Sequence, residues 1–193
     1  MNHGLNEKIR LATTQSVEAV NEFFATNAGF AIDSPITDRG CSALSYACVN
    51  TKDISDEGKV TSILQALLDK GADINMKDKR SKLPIHHAAE ADNVAALKLL
   101  LKVGGDNIDM ITEGRETPLH CSIRGYVRYE KIEAIETLIL AGANPCIKNG
   151  LGETPVDIAR KMLGKTNQLG DYLDKAIASW KEAQAAAFEA WST

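Results

Sequence analysis

The sequence predicts an all-α solenoid: short helix–turn–helix units stacked in a row, joined by hairpin loops, with a degenerate capping unit first and one long helix last. Three observations predict it. Apolar helical patterns end in a glycine-led stop in QALLDKGADIN (65–75), KLLLKVGGDNID (98–109) and TLILAGANP (137–145). Shorter helix starts precede them, CSALSYA (41–47), KLPIHHAA (82–89) and ETPLHCSI (116–123), and a fourth stands at ETPVDIAR (153–160). Aligned on Ala43, Pro84, Pro118 and Pro155, these starts lie 41, 34 and 37 residues apart, which fits a period of about 33 residues with insertions.

Each element has a local reason. Residues 3–33, with LNEKIRLA, SVEAVNEFF and a turn near Gly29, read as a degenerate first unit whose polar outer face suits a cap. Repeats follow at about 37–75, 76–109, 110–147 and 148–166, giving a domain over 1–166. At Thr117-Pro118 and Thr154-Pro155 a hydroxyl takes the N-cap and a proline takes N1, where an amide hydrogen would lack an intrahelical partner. Gly71, Gly104 and Gly142 suit left-handed positions just past a helix end. Surplus length belongs in loops, around TKDISDEGK (51–59) and GYVRYEK (125–131). Within 167–193, Leu169, Leu173, Ile177, Trp180, Ala187 and Trp191 form one stripe at helical period, with strong helix formers between them. A helix over 168–191 would span about 36 Å, so it packs on the solenoid or extends beyond it.

Composition narrows the function. The chain of 193 residues has a net charge of −4 and 25% charged residues, without the basic excess that a phosphate backbone demands, so nucleic acid is not the expected partner. The start, MNHGLNEKIR, has no apolar leader core, and no segment approaches the roughly 20 apolar residues of a membrane span. Cys41, Cys48, Cys121 and Cys146 form no C-x-x-C pair, which predicts reduced thiols, a cytoplasmic setting and no membrane insertion.

Two constellations invite a catalytic or metal reading. His86 and His120 hold the same position in adjacent units, as do His87 and Cys121. Buried polar groups are normally satisfied, which favours a neutral, hydrogen-bonded role for the first pair. His87 with Cys121 would supply only two ligands where zinc takes three or four, and a nucleophilic thiolate lacks a named orienting group. The expectation is no catalytic residue, no metal and no cofactor.

The recurring residues carry a resemblance: Gly40 with Ala47; Pro84, His86, Ala88 and Ala89; Thr117 to His120; Gly152, Thr154, Pro155 and Ala159; then Leu67-Leu68 with Gly71 to Asn75, Leu100-Leu101 with Gly104, and Gly142-Ala143. In this order the chain resembles the ankyrin repeat family over about 37–165. Ala43 departs from the family's proline, Leu83 from its threonine, and Ser45 and Asp157 from its histidine. The resemblance implies that His86 and His120 fix one unit against the next. It also implies non-enzymatic binding of another protein on a concave face of hairpin tips and first helices, as in scaffolds or effectors that intracellular bacteria deliver into host cytoplasm. By position the contact residues would be Asp38, Arg39, Cys41, Val49 and Asn50; Lys79, Arg80, Lys82, Glu90 and Ala91; Glu113, Gly114, Glu116 and Arg124; and Leu151, Glu153 and Lys161. The second hairpin is basic and the next two are acidic, matching a partner with an acidic segment followed by a basic one.

Secondary surfaces are Tyr126, Arg128 and Tyr129, which form either a hot spot or a helix extension, and Phe188 and Trp191, which either cap the array or anchor a partner or second copy. A monomer is favoured over an oligomer. Leu67, Asp73 and Ile74 before Asn75 also resemble the target pattern of an asparaginyl hydroxylase, which would make Asn75 a modification site; the alternative is an ordinary turn asparagine.

Overall fold

The computed structural model describes residues 3–104, 107–164 and 168–192. Among them are ten helices and no strand: α1 (His3–Gln15), α2 (Val17–Thr26), α3 (Ala43–Asn50), α4 (Glu57–Asp69), α5 (Pro84–Glu90), α6 (Val94–Val103), α7 (Pro118–Tyr129), α8 (Glu133–Leu140), α9 (Pro155–Leu163) and α10 (Gln168–Ser192). The first helices of successive pairs, α1, α3, α5, α7 and α9, pack side by side in one layer, and α2, α4, α6 and α8 form the second. One continuous core fills the space between the layers, including Leu44, Ile63, Leu64, Ile85, Leu97, Leu100, Leu119, Ile123, Ile135 and Leu138. This is the predicted solenoid, in which each unit buries its apolar side only by stacking on a neighbour.

The helix starts form as their residues dictate. Thr117 and Thr154 accept the backbone N–H of His120 and Asp157, with proline next in line. Ser42 and Asn93 do the same for Ser45 and Ala96. Helix α8 has no side-chain cap of its own; instead Asp92, from the preceding unit, accepts the N–H of Ala134 at 2.9 Å. Gly71 and Gly142 take left-handed φ values of 90° and 96° as expected. Gly104 does not: its φ is −138°, and a Cβ there would lie 2.8 Å from Ile74 Cδ1. That glycine provides room for a neighbouring unit rather than a left-handed turn.

Consecutive hairpins are joined at their tips. Lys79 N–H donates to Arg39 O, Glu113 N–H to Arg80 O, and Gly150 N–H to Gly114 O, at 3.0, 3.1 and 2.8 Å. The first insertion lies between α3 and α4, and the second extends α7 to Tyr129. Helix α10 packs on α9. Leu169 and Leu173 are buried, Tyr172 and Ile177 pack against the core, and Arg160 pairs with Asp174. Trp180 is half-buried, whereas described side chains from Lys181 to Ala186 are exposed, so the helix runs on past the array. The side chains of Ala187, Phe188 and Trp191 lie outside the described residues, as does the boundary expected at 166 and 167. No helix among the described residues is long and apolar enough to cross a membrane.

Candidate functional site

The paired histidines belong to the frame. His86 Nδ1 accepts the N–H of Leu83, and Nε2 donates across to Met110 O at 2.9 Å in the next hairpin. His120 repeats this with Thr117 N–H and Glu153 O at 3.1 Å. Burial lowers the His86 imidazole to about 4, against its hydrogen bonds to Met110 and Glu116, and burial likewise lowers His120. Both rings are therefore neutral near pH 7. An unfolded histidine protonates near 6.5, so below that pH the unfolded chain takes up protons that the folded chain refuses. This contribution to stability should fall from about pH 6.5 towards 4, then level off below the folded value. Between pH 6.5 and 4.5 His86 alone accounts for about 2 kcal/mol, and urea midpoints at those two pH values check it.

The face carrying the hairpins and first helices holds the predicted contact residues. Asp38 and Arg39 are exposed on the first hairpin, Lys79 and Arg80 on the second, Glu113 on the third, and Leu151 on the fourth, where it is 76% exposed. Asn50, at the end of α3, is exposed and donates to Tyr46 O. Six other predicted residues are paired within their own units. Lys82 binds Glu90, Arg124 binds Glu116, and Lys161 binds Glu153. Each pair joins the end of a hairpin to the residue eight positions on in the first helix, forming a ladder across the face. A groove of roughly 800 Å³ crosses it, bordered by Arg80, Glu113, Arg124 and Arg128.

Among the secondary residues, Tyr126 is half-buried and packs on the core, whereas Arg128 is exposed. The Lys52 ammonium lies 4.5 Å from the Tyr129 ring centroid, so the first insertion contacts the extended end of α7. Asn75 is exposed in its turn. Its N–H is held by Asp73 Oδ1, and its side-chain oxygen accepts from Asn107 at 2.8 Å.

The pairing considered for His87 is corrected. Cys121 is completely buried, and burial pushes its thiol up to about 12. His87 Nε2 instead lies 3.1 Å from Asp78 Oδ2 and 3.9 Å from Cys41 Sγ. Burial opposes the charged form of His87, but Asp78 and Cys41 outweigh it and hold the ring at about 9. Burial also opposes the Asp78 carboxylate, yet the His87 ring and the N–H groups of Lys82 and Arg80 keep it at about 2. Cys41 is lowered in turn, because His87 and Thr37 overcome its burial. Sequence reasoning placed Cys41 only as a contact position and missed Asp78. Cys41 lies 37 positions before Asp78 and 46 before His87, in the preceding unit, and no short spacing links it to them. Position-by-position alignment of the units could have found them: Cys41 precedes the cap of α3, while Asp78 and His87 flank the start of α5.

A family model for ankyrin repeats, in three copies, matches residues 53–149. Among curated proteins, the chain is 30% identical over 182 residues to zygote-specific protein 3 of Chlamydomonas reinhardtii, covering 94% of this chain and 42% of that protein. It is 30% identical over 132 residues to the ankyrin repeat protein OPG189 of Variola virus, covering 67% of this chain and 22% of the relative. It is 28% identical over 163 residues to the tyrosine-protein kinase Shark of Drosophila melanogaster, covering 82% and 16%. The chain thus spans less than half the length of each of these relatives. The match covers half of the chain, over the stacked helix pairs described above, and the chain belongs to the ankyrin repeat family.

Proposed function

We propose that the chain is a non-catalytic binding module that holds a segment of another protein along the hairpin-bearing face. The observation that carries this reading is the charge left over on that face. The ladder neutralises Lys82, Glu90, Glu116, Arg124, Glu153 and Lys161 internally. Arg39, Lys79 and Arg80 are exposed and have no ion-pair partner among the described residues. The second hairpin therefore presents free positive charge beside a groove, Arg39 stands next to it with exposed Asp38 on the first hairpin, and Glu113 presents negative charge further along, beside Arg115. An acidic partner segment, continuing into a basic one, complements that order.

The test compares captures from the source cell with the wild-type chain and an Arg39→Glu, Lys79→Glu, Arg80→Glu variant. These side chains are exposed, so circular dichroism should be unchanged. The specific partner set should be depleted at least about tenfold, consistent with loss of complementary charge. An unchanged set would sink the assignment of this face. The hydroxylase reading has the exposure of Asn75 in its favour, but the enzyme would first have to break the bond from Asn107. A 16 Da addition on Asn75, by the mass of one oxygen atom, is its signature in mass spectra of the native protein.

A further inference from the structure

We propose that Cys41, Asp78 and His87 form a zinc-class metal site in which the protein supplies three ligands and leaves a fourth position open. Their Sγ, carboxylate oxygen and ring nitrogen all lie within 4.8 Å of one another. In tetrahedral zinc, with Zn–N near 2.0 Å and Zn–S near 2.3 Å, the N···O and N···S separations are about 3.3 and 3.5 Å. The observed 3.1 and 3.9 Å need only small side-chain adjustments. Sulfur and imidazole donors select zinc or a similar borderline ion over magnesium or calcium.

The geometry separates this reading from a nucleophilic triad. In a triad the acid holds one ring nitrogen while the other faces the nucleophile. Here the acid and the thiol both approach Nε2, so the three ligand atoms gather in one place. Binding would release the protons that Cys41 Sγ and His87 Nε2 otherwise carry, leaving thiolate, carboxylate and neutral imidazole on the dication. The loaded site is then electrically neutral, and the surrounding Arg39, Arg80 and Lys82 face no added charge.

The repeat frame does not require these side chains. Thr37, Thr112 and Asn149 stand where Asp78 stands in the other units, and they satisfy the hairpin N–H groups of Cys41, Glu116 and Glu153 with a hydroxyl or an amide. Asp78 Oδ1 does the same work for Arg80 and Lys82, which leaves Oδ2 for His87. Those two backbone bonds also orient the carboxylate as an outer shell would. Corresponding residues at the next junction are Lys82, Thr112 and Cys121, which cannot make such a set. The Asp78 side chain is 3% exposed, so its remaining oxygen is directed at the cluster, not at water. A pocket of roughly 180 Å³, bordered by Arg39, Arg80 and Tyr129, adjoins Asp78 and His87 and gives room for water or an anionic group in the fourth position.

The experiment uses the intact, reduced chain, stripped with chelator and desalted, and titrates it with cobalt(II) as a spectroscopic stand-in for zinc. The expected result is one equivalent bound, with a sulfur-to-cobalt absorption band that zinc displaces. Cys41→Ser should abolish the band, and Asp78→Asn and His87→Gln should weaken binding at least about tenfold. Asp78→Asn keeps an oxygen for the hairpin N–H groups, so its loss of affinity reports ligation separately from folding, which circular dichroism verifies. Cys146→Ser should bind as wild type does. A folded wild-type chain that takes up no cobalt, or a band that survives Cys41→Ser, would overturn the site.

Discussion

Gly125→Ala is expected to destabilise the folded chain by about 3 kcal/mol, at the upper end of the usual overpacking cost. Helix propensity alone predicts the opposite sign, a gain of about 1 kcal/mol for alanine within a helix. Gly125 is buried in α7 where that helix crosses the end of α5. A Cβ there would lie 2.5 Å from Glu90 O, 3.1 Å from Glu90 C and 3.3 Å from Ala89 O. These atoms are backbone in the last turn of α5, so no rotamer change relieves the clash, and the two helices must separate. Urea denaturation should show a much lower midpoint. Gly4→Ala in α1, where nothing lies within 4 Å of the added Cβ, serves as a control with little loss or a small gain. A Gly125→Ala chain as stable as wild type would mean that α5 and α7 do not approach this closely.

Asn93→Ala is the second substitution with a large effect, at about 3 kcal/mol. Asn93 is 3% exposed and joins α6 to the end of α3. Its side-chain oxygen caps α6 through Ala96 N–H, while its NH₂ donates to Cys48 O at 3.0 Å and Thr51 Oγ1 at 2.9 Å. Loss of a cap costs about 1 kcal/mol, and a buried group left without a partner adds about 1–3 kcal/mol. Asn93→Ser sharpens the reading, since it retains a neutral acceptor for the cap but has no amide to donate to the preceding unit. If the inter-unit bonds matter, Asn93→Ser should recover only part of the stability, measured as a melting temperature between those of wild type and Asn93→Ala. Full recovery would reduce Asn93 to an ordinary N-cap. Asp92, next to it, reaches the opposite way to Ala134 N–H. Two adjacent residues in one unit thus hold both neighbours.

The helix starts at Thr117-Pro118 and Thr154-Pro155 and the stops at Gly71 and Gly142 were legible because each depends on residues a few positions apart. His86 and His120 were legible through repetition, as two copies at one phase. Gly104 shows the limit: a glycine after an apolar run has the same local pattern whether it serves a left-handed turn or makes space for Ile74. The contact face was legible as a set of positions, but its charge was not. Lys82 and Glu90 read as two binding charges in sequence, and only their approach across the unit cancels them.

By itself the sequence determined the all-helical architecture, the repeat phase and the helix termini, since these follow from short-range periodicity and capping chemistry, while the histidine frame came from the family resemblance. Only the tertiary structure decided that Gly125 touches the backbone of α5, that Asn93 braces the preceding unit, and that Cys41, Asp78 and His87 converge. The physical reason is that stacking brings together side chains more than thirty positions apart. Which of them meet depends on the rotation and rise between units and on where the insertions are taken up, and local spacing encodes neither.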